Sequence, residues 1–112
     1  MSEEGKKFDG QKLDWSLLPL DFVEPLVPIF KIGEERYGYE NWRKEFTNPR
    51  RRFNAALKRH LKECERNPLA INEEDGGVYH LAQIAWNALE LLYQELEREK
   101  NDAAQTGKVS TH

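Results

Sequence analysis

Apolar residues along this chain recur at intervals of three and four rather than two, so the pattern predicts helices. Phe22, Val23, Leu26, Val27, Ile29 and Phe30 form a broad apolar face, and a first helix is expected over about 21–37. Asp21 followed by Glu24 resembles a capping box, and Gly38 offers a left-handed stop. Pro25 falls in the first turn, whereas Pro28 lies deeper and predicts a kink or a late start. Asn48-Pro49 opens the second helix, expected over 49–65, with Phe53, Ala56, Leu57, His60, Leu61 and Cys64 on one stripe. Asn67-Pro68 ends it, and a loop over 66–77 leads into the third helix, about 78–100. That helix carries two adjoining stripes, one of Leu81, Ala85, Ala88, Leu92 and Leu96, the other of His80, Ile84, Asn87 and Leu91. No segment alternates as a strand does. The expected fold is all-α, a small bundle of three main helices completed by self-association.

With 112 residues there is room for one domain, placed at 7–100, between a disordered 1–6 and a disordered 101–112. Because the third helix is apolar on more than one side and the core is small, a homo-oligomer is expected. The net charge of −3 gives no general basis for gripping nucleic acid, and no direct nucleic-acid binding is expected. Cys64 is the single cysteine, so an internal disulfide is ruled out and a reducing cytoplasm is the expected compartment. No apolar stretch reaches the roughly 20 residues of a membrane span.

His60 and His80 fall on inward faces, where an imidazole must be hydrogen-bonded, paired or metal-bound. Either could be a core histidine satisfied by a neighbour or a catalytic group. Asn87, seven residues after His80 on the same helix face, could orient a partner histidine or satisfy a turn. Glu34 and Glu35 close the first helix, and Glu73-Glu74-Asp75 precede Gly76-Gly77. Converging carboxylates could hold Mg²⁺ with water and phosphate, or these could be solvated helix ends. Arg50, Arg51 and Arg52, with Lys58 and Arg59, could bind polyphosphate or form a solvated basic face. Tyr37 and Trp42 could stack on a base or pack inside. No nucleophile elbow, Walker loop or tight Cys/His zinc spacing occurs, which leaves acid–base and metal-assisted hydrolysis open.

The ordered series Lys7-Phe8-Asp9, Leu18-Pro19, Gly33-Glu34-Glu35-Arg36-Tyr37-Gly38, Asn41-Trp42, Arg59-His60-Leu61, Asn72, Glu74, His80-Leu81-Ala82 and Trp86-Asn87 resembles a known family. It is the N-terminal domain of phage and prophage dATP/dGTP diphosphohydrolases, loosely grouped with MazG-like all-α nucleotide pyrophosphatases. The resemblance implies cleavage of a deoxypurine triphosphate to monophosphate and pyrophosphate by metal-activated water, with Mg²⁺ or Mn²⁺ as cofactor. Carried over by position, it makes Glu35, His60, Glu74, His80 and Asn87 site candidates, with Arg59 contacting phosphate. With the residue reading above, the expected roles are His60, His80 and Asn87 as catalytic groups, Glu35 and Glu74 as metal ligands, and Tyr37, Trp42, Arg52 and Arg59 as substrate-binding residues. Two positions depart from the family pattern. Gln83 stands where a second histidine is usual, and Asn72 where an Asp is usual. A module that binds nucleotide without turnover, or a phage accessory protein working through protein contacts, are the alternatives.

Overall fold

The protein is described here by a computed structural model covering residues 12–105. Four α-helices follow one another: α1 (Leu20–Val23), α2 (Val27–Tyr37), α3 (Pro49–Cys64) and α4 (His80–Gln105). Short 3₁₀ turns occupy Trp15–Leu17, Glu24–Leu26, Asn41–Arg43 and Glu73–Asp75. The all-α expectation holds. The long pair α3 and α4 forms the main packing unit, and α2 with the turn before it leans on α4.

The prolines shape the first half of the chain. The helix expected over 21–37 is divided by the 3₁₀ turn Glu24–Leu26, with Pro25 inside that turn and Pro28 at the start of α2. Each proline thus sits at a first turn, where a missing N–H costs little. Asp21 makes no capping bond, because α1 begins one residue earlier and Pro19 occupies the cap position. Asn48 does precede α3, but its backbone is left-handed and its side chain makes no capping bond, so Pro49 alone supplies the start signal. Gly38 ends α2 with φ 103° and ψ 163°, a region open to glycine.

Two residues on each side of the loop before α4 form a short antiparallel ladder, β1 (Ile71–Asn72) and β2 (Val78–Tyr79), pairing Ile71 with Tyr79 and Asn72 with Val78. Period-2 alternation cannot announce strands of two residues, so the sequence shows none here. Consequently α4 starts at His80, not 78, and it continues to Gln105 instead of ending near 100. The expected disordered 1–6 and the segment from 106 onward lie outside the described residues.

Helix α4 is turned opposite to its most hydrophobic stripe. The buried positions are Ala82, Gln83, Asn87, Glu90 and Gln94, whereas Leu81, Ala85, Ala88, Leu92 and Leu96 are exposed. The stripe His80, Ile84, Asn87 and Leu91 is the one that faces inward, buried or half-buried throughout. Among the described residues the buried hydrophobics are few, namely Ile29, Phe53, Cys64 and Ala82, and no side chain is fully enclosed.

Candidate functional site

The polar stripe of α4 gathers the rest of the site. At its N-terminal end, the loop 70–79 is folded back by Gly76 and Gly77, both with positive φ. Gly77 N–H donates to the Asn72 carbonyl at 2.8 Å, and His80 N–H donates to the Ala70 carbonyl at 3.0 Å. This brings Asp75 over the first turn of α4. Gln83 Nε2 donates to Asp75 Oδ2 at 2.7 Å, and Asn72 Nδ2 donates to Gln83 Oε1 at 3.1 Å and to Asp75 Oδ2 at 3.2 Å. From the end of α2, Arg36 Nη2 reaches Asp75 Oδ1 at 2.7 Å while remaining half exposed. Burial pushes the Asp75 carboxyl up, but the hydrogen bonds from Arg36 and Gln83 and the guanidinium charge outweigh it. The group is held ionised, below the usual carboxylate range.

Beside this network lies a histidine pair. His60 Nδ1, from α3, is 2.9 Å from His80 Nδ1 at the start of α4. Two ring nitrogens at that distance share one proton, one donating and the other accepting. The His60 imidazole is pushed below its ordinary value by burial, by His80 and by the neighbouring Arg59. That shift favours the neutral His60 ring, the form that can accept a proton as a general base does. Asn87, about two turns beyond His80, donates from Nδ2 to the Gln83 carbonyl at 2.7 Å, a bond within its own helix.

At the middle of α4, Gln94 anchors the connector that follows α2. Its Nε2 donates to the carbonyls of Lys44 (2.8 Å) and Trp42 (3.2 Å) and lies 2.8 Å from Glu90 Oε2, while its Oε1 accepts from Phe46 N–H at 3.2 Å. Trp42 is thereby fixed in an edge-to-face cluster. Its ring is 6.1 Å from Phe30 and 5.3 Å from Tyr93, and Phe30 is 5.8 Å from Trp86. Arg43 covers the Trp42 ring at 4.3 Å. At Gly33 a methyl group would stand 3.1 Å from Asn41 Oδ1, so a bare backbone lets α2 lie against this connector.

The residues singled out in the sequence divide into groups. His60 and His80 meet, whereas Asn87 is buried and bonded to the Gln83 carbonyl of its own helix. Trp42 lies half-buried in the aromatic cluster. Arg59 is exposed beside His60, whereas Arg52 packs over the Phe46 ring at 5.0 Å. Tyr37, Glu35 and Glu74 are exposed. Of the acidic run, Asp75 is the member drawn into the polar network. Among the described residues no three His, Cys, Asp or Glu side chains come together as a metal-holding group.

Arg36, Gln94 and Glu90 were not legible as site residues. The available signal was the 4-3-4 spacing of Gln83, Asn87, Glu90 and Gln94, a polar stripe within a helix otherwise rich in leucine.

Comparison with known proteins supplies the family. The profile described as "dATP/dGTP diphosphohydrolase, N-terminal" matches residues 2–104. A Salmonella phage PMBT28 protein named dATP/dGTP diphosphohydrolase is 33% identical over 81 residues, covering 72% of this chain and 26% of its own length. The chain thus spans about a quarter of that relative. No solved structure matches it. Over nearly its whole length, the chain belongs to the family of dATP/dGTP diphosphohydrolase N-terminal domains.

Proposed function

We propose that this domain binds a deoxynucleoside triphosphate and hydrolyses it to the monophosphate and pyrophosphate. The observation that carries the reading is the His60–His80 pair set against the Arg36–Asp75–Gln83 network. A water oxygen attacks the α-phosphorus, its proton passes to the histidine pair, and the bond to the bridging oxygen breaks. Pyrophosphate leaves with the electron pair. Arg36 and Arg59, both exposed, meet the phosphate charge, Arg by paired hydrogen bonds. Mg²⁺ belongs to this reading as part of the incoming nucleotide, since it commonly keeps water and substrate phosphates as its main ligands. Mn²⁺ would serve in the same way.

The test is incubation with each of the four deoxynucleoside triphosphates and Mg²⁺, reading monophosphate and pyrophosphate. The expected result is release with a purine preference, reduced about 10²- to 10⁴-fold in His80→Ala, the usual contribution of a general base. Absence of both release and binding would overturn the proposal.

A second reading is favoured by Gln83. Its amide occupies Asp75 and Asn72 at once, filling the place of a histidine that could have joined His60 and His80. Under that reading the domain holds nucleotide without turning it over. Thermal stabilisation by dGTP with no pyrophosphate formed selects it.

Self-association is part of the proposal. Ala85, Leu89, Leu92 and Leu96 repeat at 4-3-4 spacing on the exposed side of α4, the seam by which two copies of one helix pack about a twofold axis. A second copy supplies the cover that the sparse core lacks.

A further inference from the structure

Three of the four buried polar side chains on α4 have a structural task. Gln83 holds the loop carrying Asp75, Asn87 braces its own helix, and Gln94 holds the Trp42 connector. Glu90 has none. It is 4% exposed, more enclosed than the others, yet it ties no second element to α4. Its Oε2 faces Gln94 Nε2, whose two hydrogens are also claimed by two carbonyls. Among the described residues its Oε1 accepts no hydrogen bond. Burying a carboxylate is costly unless it is hydrogen-bonded, and a carboxylate so placed beside a cleft is a candidate for ligand contact. Glu90 lines a cavity of about 170 Å³ whose other walls are Phe30, Trp42, Trp86, Leu89 and Tyr93. Whole-ligand pockets run to roughly 300–1,000 Å³, so this one takes a single ring system. Aromatic walls suit a flat heterocycle, and the carboxylate suits an edge bearing N–H donors.

We infer that the cavity between Phe30, Trp42, Trp86 and Tyr93 is the base slot of the nucleotide site, with Glu90 accepting hydrogen bonds from a guanine-type edge. This rests on the nucleotide reading above. Guanine presents an imino and an amino N–H side by side, which one carboxylate takes as a pair. Gln94 can release Oε2 for this because the Trp42 and Lys44 carbonyls retain its hydrogens. Glu90 lies ten residues beyond His80, about 15 Å along the helix axis, a separation suited to a base at one end of an extended triphosphate and phosphates at the other.

The experiment titrates the full chain, carrying Trp15→Phe to remove an exposed background fluorophore, with dGTP, dITP, dCTP and tripolyphosphate. Quenching of Trp42 and Trp86 reports the slot. Hypoxanthine in dITP lacks the amino group. The expected result is dGTP binding at least 10-fold tighter than dITP or dCTP. Glu90→Gln, a change of one atom, lowers dGTP affinity about 10- to 100-fold, as losing a hydrogen bond to a charged group does. It leaves tripolyphosphate affinity unchanged. Should dGTP bind while Glu90→Gln, folded by its melting curve, keeps the same affinity and the same dGTP/dITP ratio, the base-slot assignment is overturned and the nucleotide reading stands. Should no nucleotide bind the parent chain, both fall. Equal loss of tripolyphosphate and dGTP in Glu90→Gln assigns the residue to the scaffold and also overturns the inference.

Discussion

Single side chains in this protein trade stability for chemistry, and pH exposes the trade. Burial raises the Glu90 carboxyl above its ordinary range, partly offset by Gln94. A raised carboxyl binds more protons folded than unfolded, so its stability contribution is lost as pH rises through that window. Glu90→Gln is therefore expected to raise the thermal midpoint at pH 7, by about 1 kcal/mol or more in stability, and to bring no gain near pH 4. Melting curves at the two pH values check this. His60 gives the opposite sign. Its folded value lies below its unfolded one, so the unfolded chain takes the proton first. Stability falls as pH drops below about 6.5 and levels off beneath the folded value. Denaturant titrations between pH 5 and 8 should show that slope in the parent and lose it in His60→Asn. The reason Glu90 escapes a sequence reading is also local. A glutamate among Leu89, Leu91 and Leu92 reads as the wet side of a helix, and only packing shows that Leu89 and Leu92 are the wet side.

Elements are set by local rules that the sequence displays, and by a few it does not. Pro25, Pro28 and Pro49 sit at helix starts because their ring geometry allows nothing else nearby. Gly38 is needed where α2 turns into the Trp42 connector. Its φ and ψ lie in a region that costs other residues about 1–3 kcal/mol, and a methyl there would touch nothing within 4 Å. Gly38→Ala should thus lose roughly that stability through backbone strain alone, measurable by urea unfolding. The short ladder before α4 was not legible, because two residues a strand carry no periodicity. The α3 and α4 helices were, since 3.6-residue repeats sustained over four turns have no competing explanation.

At the scale of the whole molecule the exposed α4 seam matters most. Leu89, Leu92 and Leu96 are each about half exposed, and Leu92→Glu places a charge in the middle of the seam. The parent chain is expected to sediment as a dimer or larger at micromolar concentration, and Leu92→Glu as a monomer with its histidine pair intact. A monomeric parent would leave the seam to a different partner. No helix among the described residues is long and apolar enough to cross a membrane.

By itself, the sequence determined the helical repeat, the proline and glycine punctuation and the identity of the two histidines, because these depend on neighbours three or four residues away. Only tertiary structure decided which stripe of α4 is inside, that Asp75 and Arg36 join Gln83, and that Glu90 floors an aromatic cavity. Those outcomes depend on residues up to about 60 positions apart meeting across helices, and on hydrogen bonds repaying the burial of polar groups. A one-dimensional hydrophobic pattern marks two adjoining stripes on α4 and sets His80 inward, as the fold does, but it does not show that the leucine stripe is left outside.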